Sequence, residues 1–277
     1  MQTIVALMVL AVAALAQPAL GAQRVLLLNS YHHGYKWTDD ITAGVRAFLT
    51  RESPGVQLHI EYMDTKRVND PLYYDHLAAM YAYKFNHIQF EAVIASDNNA
   101  YEFLLSYRDL LFSGIPVIFC GVNYFQPASL EGHSGFTGVN EEADLEAGIE
   151  LALQLHPDTR RIVVINDTTP SGRQVQRHLR QLIGKNRFDV QFRLWEDVTM
   201  ATLERWVASL GSGDIVLYSF FLRDKAGDFF EFDESITRIA RACPVPIYGA
   251  WDFNLGYGIV GGMLTSGYFQ GESAARL

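Results

Sequence analysis

Short apolar runs recur along this chain, and each ends in polar residues before a helical pattern begins. The runs are Val25–Tyr31, Ala92–Asn99, Pro116–Asn123, Arg161–Thr168, Asp214–Phe220 and Pro246–Asp252. Apolar stretches of this length, without polar alternation, read as strands buried on both faces. Strands that alternate with amphipathic helices form βαβ units and a parallel sheet. The pattern predicts helices over 38–51, 71–86, 99–112, 142–155, 172–183, 200–210 and 231–242. Thr38-Asp39-Asp40 reads as an N-cap cluster, and Asp70-Pro71 as a cap followed by proline at the first helical position. Further strands are expected at 57–63, 135–139 and 189–195.

The two halves repeat the scheme without a Pro/Ser-rich linker between them. The expected organisation is therefore α/β: two Rossmann-like lobes with parallel sheets, lobe 1 over 23–139 and lobe 2 over 140–255. Residues 256–277 read as a segment returning to lobe 1. Its last stretch opens a helix that reaches Ala-Ala-Arg-Leu without a cap, so the C-terminal part is expected to be truncated.

In sheets of this kind ligands sit beyond the carboxyl ends of the strands. The polar residues collected there are the candidate site. In lobe 1 they are Ser30, Tyr31 and Trp37 around the first loop, Asp97 and Asn98 after the third strand, and Asn123 after the fourth. In lobe 2 they are Asn166, Asp167 and Thr168, Tyr218 and Ser219, and Trp251 and Asp252. Each has a plainer reading beside the ligand-binding one. Asp97 and Asn98 suit helix caps, Asp252 suits a cap, and Gly121-Val122-Asn123 suits a turn. The loop aromatics, Tyr35 among them, either stack on a ligand or pack the loop. Lys66 and Arg67 either take a carboxylate or pair with Asp64 or Asp70.

Composition narrows the function. The chain has 277 residues, a net charge of −9 and no basic run, which excludes the clustered cations that nucleic acid needs. The His32-His33 pair lacks a second ligand cluster, so no metal is expected; no cofactor is expected either. The two cysteines, Cys120 and Cys243, read as free thiols beside strands. There is no G-x-S-x-G, H-E-x-x-H or P-loop, and no complete G-x-G-x-x-G after the first strand, so binding without catalysis is expected of this region. Thr3–Ala16 is apolar and small residues follow at Ala19, Gly21 and Ala22. Residues 1–22 thus read as an export signal peptide, with an uncleaved anchor as the rival, and place the protein outside the cytoplasm.

The segments Leu28–Trp37 (LNSYHHGYKW), Glu61–Arg67 (EYMDTKR), Ser96–Ala100 (SDNNA), Pro116–Asn123 (PVIFCGVN), Phe136–Val139 (FTGV) and Pro246–Gly262 (PIYGAWDFNLGYGIVGG) together resemble the periplasmic-binding-protein-like family of ABC-transporter substrate-binding proteins. They are most similar to the branch that serves as extracytoplasmic sensor domains of bacterial histidine kinases and diguanylate cyclases. The resemblance implies a type I periplasmic-binding fold, with a small polar solute held in the cleft between two lobes that close on it; the acidic, amide and aromatic candidates themselves suit an amino-acid-like or small aromatic solute. The resemblance also implies a membrane-embedded signalling partner. A free binding protein serving an ABC permease is the alternative, and an exported hydrolase a more remote one.

Overall fold

The structure, a computed structural model, describes residues 23–277; the leader read at residues 1–22 lies outside the described residues. The first sheet gathers β1 (Arg24–Asn29), β2 (Gln57–Tyr62), β3 (Ala92–Ser96), β4 (Val117–Asn123) and β5 (Phe136–Glu141). They are interleaved with α1 (Lys36–Glu52), α2 (Pro71–Phe85) and α3 (Asp97–Leu111). All pairings are parallel, in the order β2-β1-β3-β4-β5. The second sheet gathers β6 (Arg161–Ile165), β7 (Gln191–Trp195), β8 (Asp214–Tyr218) and β9 (Ile247–Gly249), parallel in the order β7-β6-β8-β9. Its helices are α4 (Leu145–Leu155), α5 (Pro170–Gly184), α6 (Met200–Ala208) and α7 (Phe232–Ala242). The expected α/β architecture with two parallel sheets is thus observed.

The sheets form because their strands are apolar on both faces. Leu26, Leu27 and Leu28 are each fully buried, but they serve different layers. Leu27 packs with Ile94 and Ile118 on one side of the sheet, and Leu26 and Leu28 with Val93 and Val117 on the other. Burying each leucine contributes about 1.5–3 kcal/mol. Both strand orders reverse direction once, between β1 and β3 in lobe 1 and between β6 and β8 in lobe 2. A crevice opens beyond the strand ends at each reversal.

Several helix starts differ from expectation. The first begins at Lys36, with Tyr35 at the N-cap, and Thr38 lies buried inside it. Asp39 instead accepts from the Gly34 N–H at 3.1 Å. The third begins at Asp97, two residues early, after a Ser96 N-cap that makes no side-chain cap bond. Caps at Asp70, Asp144, Thr169 and Thr199 accept backbone N–H groups in the ordinary way. The cysteines are free, Cys120 buried and Cys243 half-buried.

The chain crosses between lobes after Glu141 and again over 250–266, where Thr265 N–H donates to Ala250 O and Asp252 N–H to Thr265 O. It then enters α8 (Gly267–Arg276), which packs on α1 of the first lobe. Two glycines permit that approach: a Cβ at Gly44 would stand 2.0 Å from Tyr268 O, and one at Gly271 2.1 Å from Ile41 O.

Candidate functional site

The two crevices face each other across a cavity of about 40 Å³, room for about three waters. From lobe 1 it is lined by Tyr31, Tyr35, Trp37, Lys66, Asp97, Asn123 and Glu141. From lobe 2 and the second crossing come Ser171, Gln174, Val175, Phe220, Leu222, Phe232, Trp251 and Phe253.

Two buried carboxylates carry its chemistry. Asp97 is 2% exposed, and Glu141, the last residue of β5, is 4% exposed. Each is held by an indole. Trp37 Nε1 donates to Asp97 Oδ1 at 2.8 Å, and Ser96 Oγ donates to Oδ2 at 2.9 Å. Trp251 Nε1 donates to Glu141 Oε1 at 2.7 Å, and Asn123 Nδ2 to Oε2 at 3.0 Å. The Trp251–Glu141 bond ties the second crossing to the end of the lobe 1 sheet. Asp97 has φ 70°, a left-handed backbone that Asp tolerates better than most residues but still at a cost. Gly121, itself at φ 66°, leaves room for it: a Cβ there would stand 3.1 Å from Asp97 Oδ1.

Burial pushes Asp97 up to about 7, against the Trp37 and Ser96 hydrogen bonds and the charge of Lys66. Burial and then the charge of Asp97 push Glu141 up to about 8, against Trp251, Asn123 and Lys66. At neutral pH the pair retains a proton. Burial, and after it the charge of Asp97, raises the Tyr31 and Tyr35 phenols and the Cys120 thiol, so these neighbours stay neutral. Lys66 is exposed, yet its Nζ stands 4.2 Å from the Tyr31 ring centre and 5.6 Å from that of Tyr35. Protein around the cleft lowers its pKa, while Asp97, Asp167 and Glu141 pull it back up. Because solvent reaches its side chain, we treat it as a cation.

Aromatic contacts line the rest and bridge the lobes. Tyr35 lies 5.1 Å from Phe232, Trp37 6.2 Å from Phe253, and Phe220 4.3 Å from Trp251.

Of the residues singled out in the sequence, Tyr31, Trp37, Asp97, Asn123 and Trp251 meet at this cavity. The others lie behind or beside it. Ser30 staples β1 to α3, its Oγ donating to Ser96 O at 2.6 Å and accepting from Ala100 N–H at 2.8 Å. Asn98 brackets the Asn123 backbone. Asn166 Nδ2 donates to Asp167 O and Gly172 O, and Asp167 accepts from Thr169 and from Leu222 N–H. These two residues shape the β6–α5 loop. Thr168 is exposed beside them. Tyr218 bonds Ser235 in the lobe 2 core, Ser219 is buried, and Asp252 opens the 3-10 turn Asp252–Asn254. Glu141 was not among the candidates, because the strand was expected to stop at Val139; two more residues put a carboxylate at its end. Of the two cations that either take a carboxylate or pair with Asp64 or Asp70, Arg67 pairs with Asp64 at 3.1 Å, while Lys66 lines the cavity over the Tyr31 ring.

No protein-family model matches the chain, and no curated protein is found to match it. Solved structures are similar to it. One is an ABC domain in complex with L-Trp from Streptococcus pneumonia, with 14% identity, TM-score 0.60, and 92% of this chain and 82% of that one covered. Another is a substrate binding protein with adhesive properties from Clostridium difficile, in a ligand-free, open structure, with 14% identity, TM-score 0.61, and 91% and 82% covered. The chain has the type I periplasmic-binding-protein fold. A carbohydrate transporter from Acidothermus cellulolyticus in complex with myo-inositol shares that fold at 12% identity and TM-score 0.56, with 92% and 85% covered. Identities this low establish architecture and leave the chemistry to this chain's own residues.

Proposed function

We propose that this protein is an extracytoplasmic receptor for a small polar solute, bound between the lobes. The observation that carries this is the cavity itself, walled from both lobes and holding two buried carboxylates. Such groups are costly to bury unless something repays them. A strained Asp97 at the same point fits a binding role. A solute touching both lobes binds the closed form better than the open one and so shifts the hinge equilibrium. The acidic, amide and aromatic walls suit an amino-acid-like or aromatic solute. Similar folds that hold L-Trp or myo-inositol support small-molecule binding without choosing the solute. We take the role to be binding without turnover.

The resemblance of the quoted segments supports a sensor role, in which closure is relayed to a membrane-embedded kinase or cyclase. Delivery to a permease is the alternative reading; transporter proteins are among the similar folds. Cross-linking in membranes separates them by the partner captured.

Thermal unfolding against amino acids, amines, purines, short carboxylates and sugars tests the receptor reading. A bound solute at a hundredfold over its Kd adds about 2.7 kcal/mol. A well-folded protein that no solute class stabilises would refute it.

A further inference from the structure

We propose that the cavity recognises its solute through a positively charged nitrogen, and that Lys66 is a tethered stand-in for that cation. This rests on the receptor reading above and names its ligand class: an organic monocation, an amine or quaternary ammonium.

Aromatic faces attract cations through the ring quadrupole, most strongly where water is excluded. Here Tyr31, Tyr35, Trp37 and Trp251 surround two buried carboxylates. Each carboxylate accepts from neutral donors only, an indole with a hydroxyl or an amide. Among the described residues no arginine lines the cavity, and Lys66 is its one lysine. With the proton the pair retains at neutral pH, its charge is balanced by one cation, Lys66 or a ligand nitrogen in its place, and a neutral or anionic solute that moved Lys66 aside would leave it unbalanced.

Lys66 behaves as a placeholder. It follows β2 on an exposed stretch, and its ammonium reaches in over Tyr31 and Tyr35. Among the described residues it makes no hydrogen bond or ion pair to a carboxylate, although its neighbour Arg67 does. The stretch that carries this long side chain is exposed, so its enclosed ammonium has a way out to water, and a ligand nitrogen takes the rings in its place. The opposing role is that Lys66 grips a ligand carboxylate, and the two make opposite predictions.

The test uses matched series of alkyl and phenylalkyl amines, alcohols and carboxylates on the wild type and on Lys66→Met, read by thermal shift and calorimetry. The expected result is stabilisation by the amines above their matched alcohols and carboxylates. Lys66→Met then tightens amine binding by roughly threefold to tenfold, the scale of one cation–π contact. Carboxylates preferred by the wild type and lost in Lys66→Met would overturn the proposal, as would alcohols that bind as well as amines. If only sugars or other uncharged solutes stabilise the protein, the receptor reading stands and the cation proposal falls. If no solute of any class does, both fall. A Lys66→Arg variant that restores wild-type amine affinity separates displacement of a cation from a change in local packing.

Discussion

Asp97 and Glu141 bring a pH dependence of their own. In the unfolded chain both lose their protons near pH 4; in the folded chain Asp97 does so at about 7 and Glu141 at about 8. Between those limits the folded state holds more protons, so stability falls as pH rises. The loss begins above about pH 4 and is complete above about pH 8, with a slope of at most about 1.4 kcal/mol per pH unit for each group. Urea denaturation at pH 5 and pH 7 should show this drop, and Asp97→Asn or Glu141→Gln should each shrink it. An undiminished drop in both variants would show that the pair is not its source. Gly121→Ala places a side chain at positive φ beside Asp97. It should cost about 1–2 kcal/mol, measured by the same method. Asp97 was legible in the sequence because it ends an apolar run and precedes a helical one. Glu141 was not, since FTGVNE alternates too weakly to show where its strand stops. The cap reading of Asp97 fails for a tertiary reason: its carboxylate turns to Trp37, sixty positions away in sequence, a partner that spacing alone does not reveal.

Among the elements, the long apolar strands were the most legible, because burial on both faces leaves an unbroken signal. Helix starts were less so. The helix Lys36–Glu52 starts ahead of its polar cluster because Tyr35 and Trp37 are drawn into the cavity wall, and tertiary packing overrides the local cap preference. Docking of α8 onto α1 makes a sharp prediction. Gly271→Ala drives a methyl into the Ile41 carbonyl and should cost about 1–3 kcal/mol, the range for overpacking. Gly184→Ala, with nothing within 4 Å, should change stability by less than about 0.5 kcal/mol. Chemical denaturation of both variants checks the contrast, and equal effects would mean that the close approach is not what holds α8.

For the whole molecule, the repeat of strand and helix gave away two parallel sheets, but not the contacts that draw them together. Those include aromatic pairs and the Trp251–Glu141 hydrogen bond, between residues far apart in sequence. Trp251→Phe keeps a ring in the wall and removes the donor to Glu141. It should destabilise the closed arrangement by about 1–3 kcal/mol, because a buried acceptor loses its partner. Solute binding should weaken while the far-ultraviolet dichroism is unchanged. The central claim is that a solute sits between the lobes and closes them. Its most direct test is the distance between spin labels at Tyr83 on α2 and Arg205 on α6, both exposed, with and without the solute that stabilises the protein. The account predicts one shorter, narrower distance that saturates with binding and is lost in Asp97→Asn. Binding that leaves the distance unchanged would contradict it.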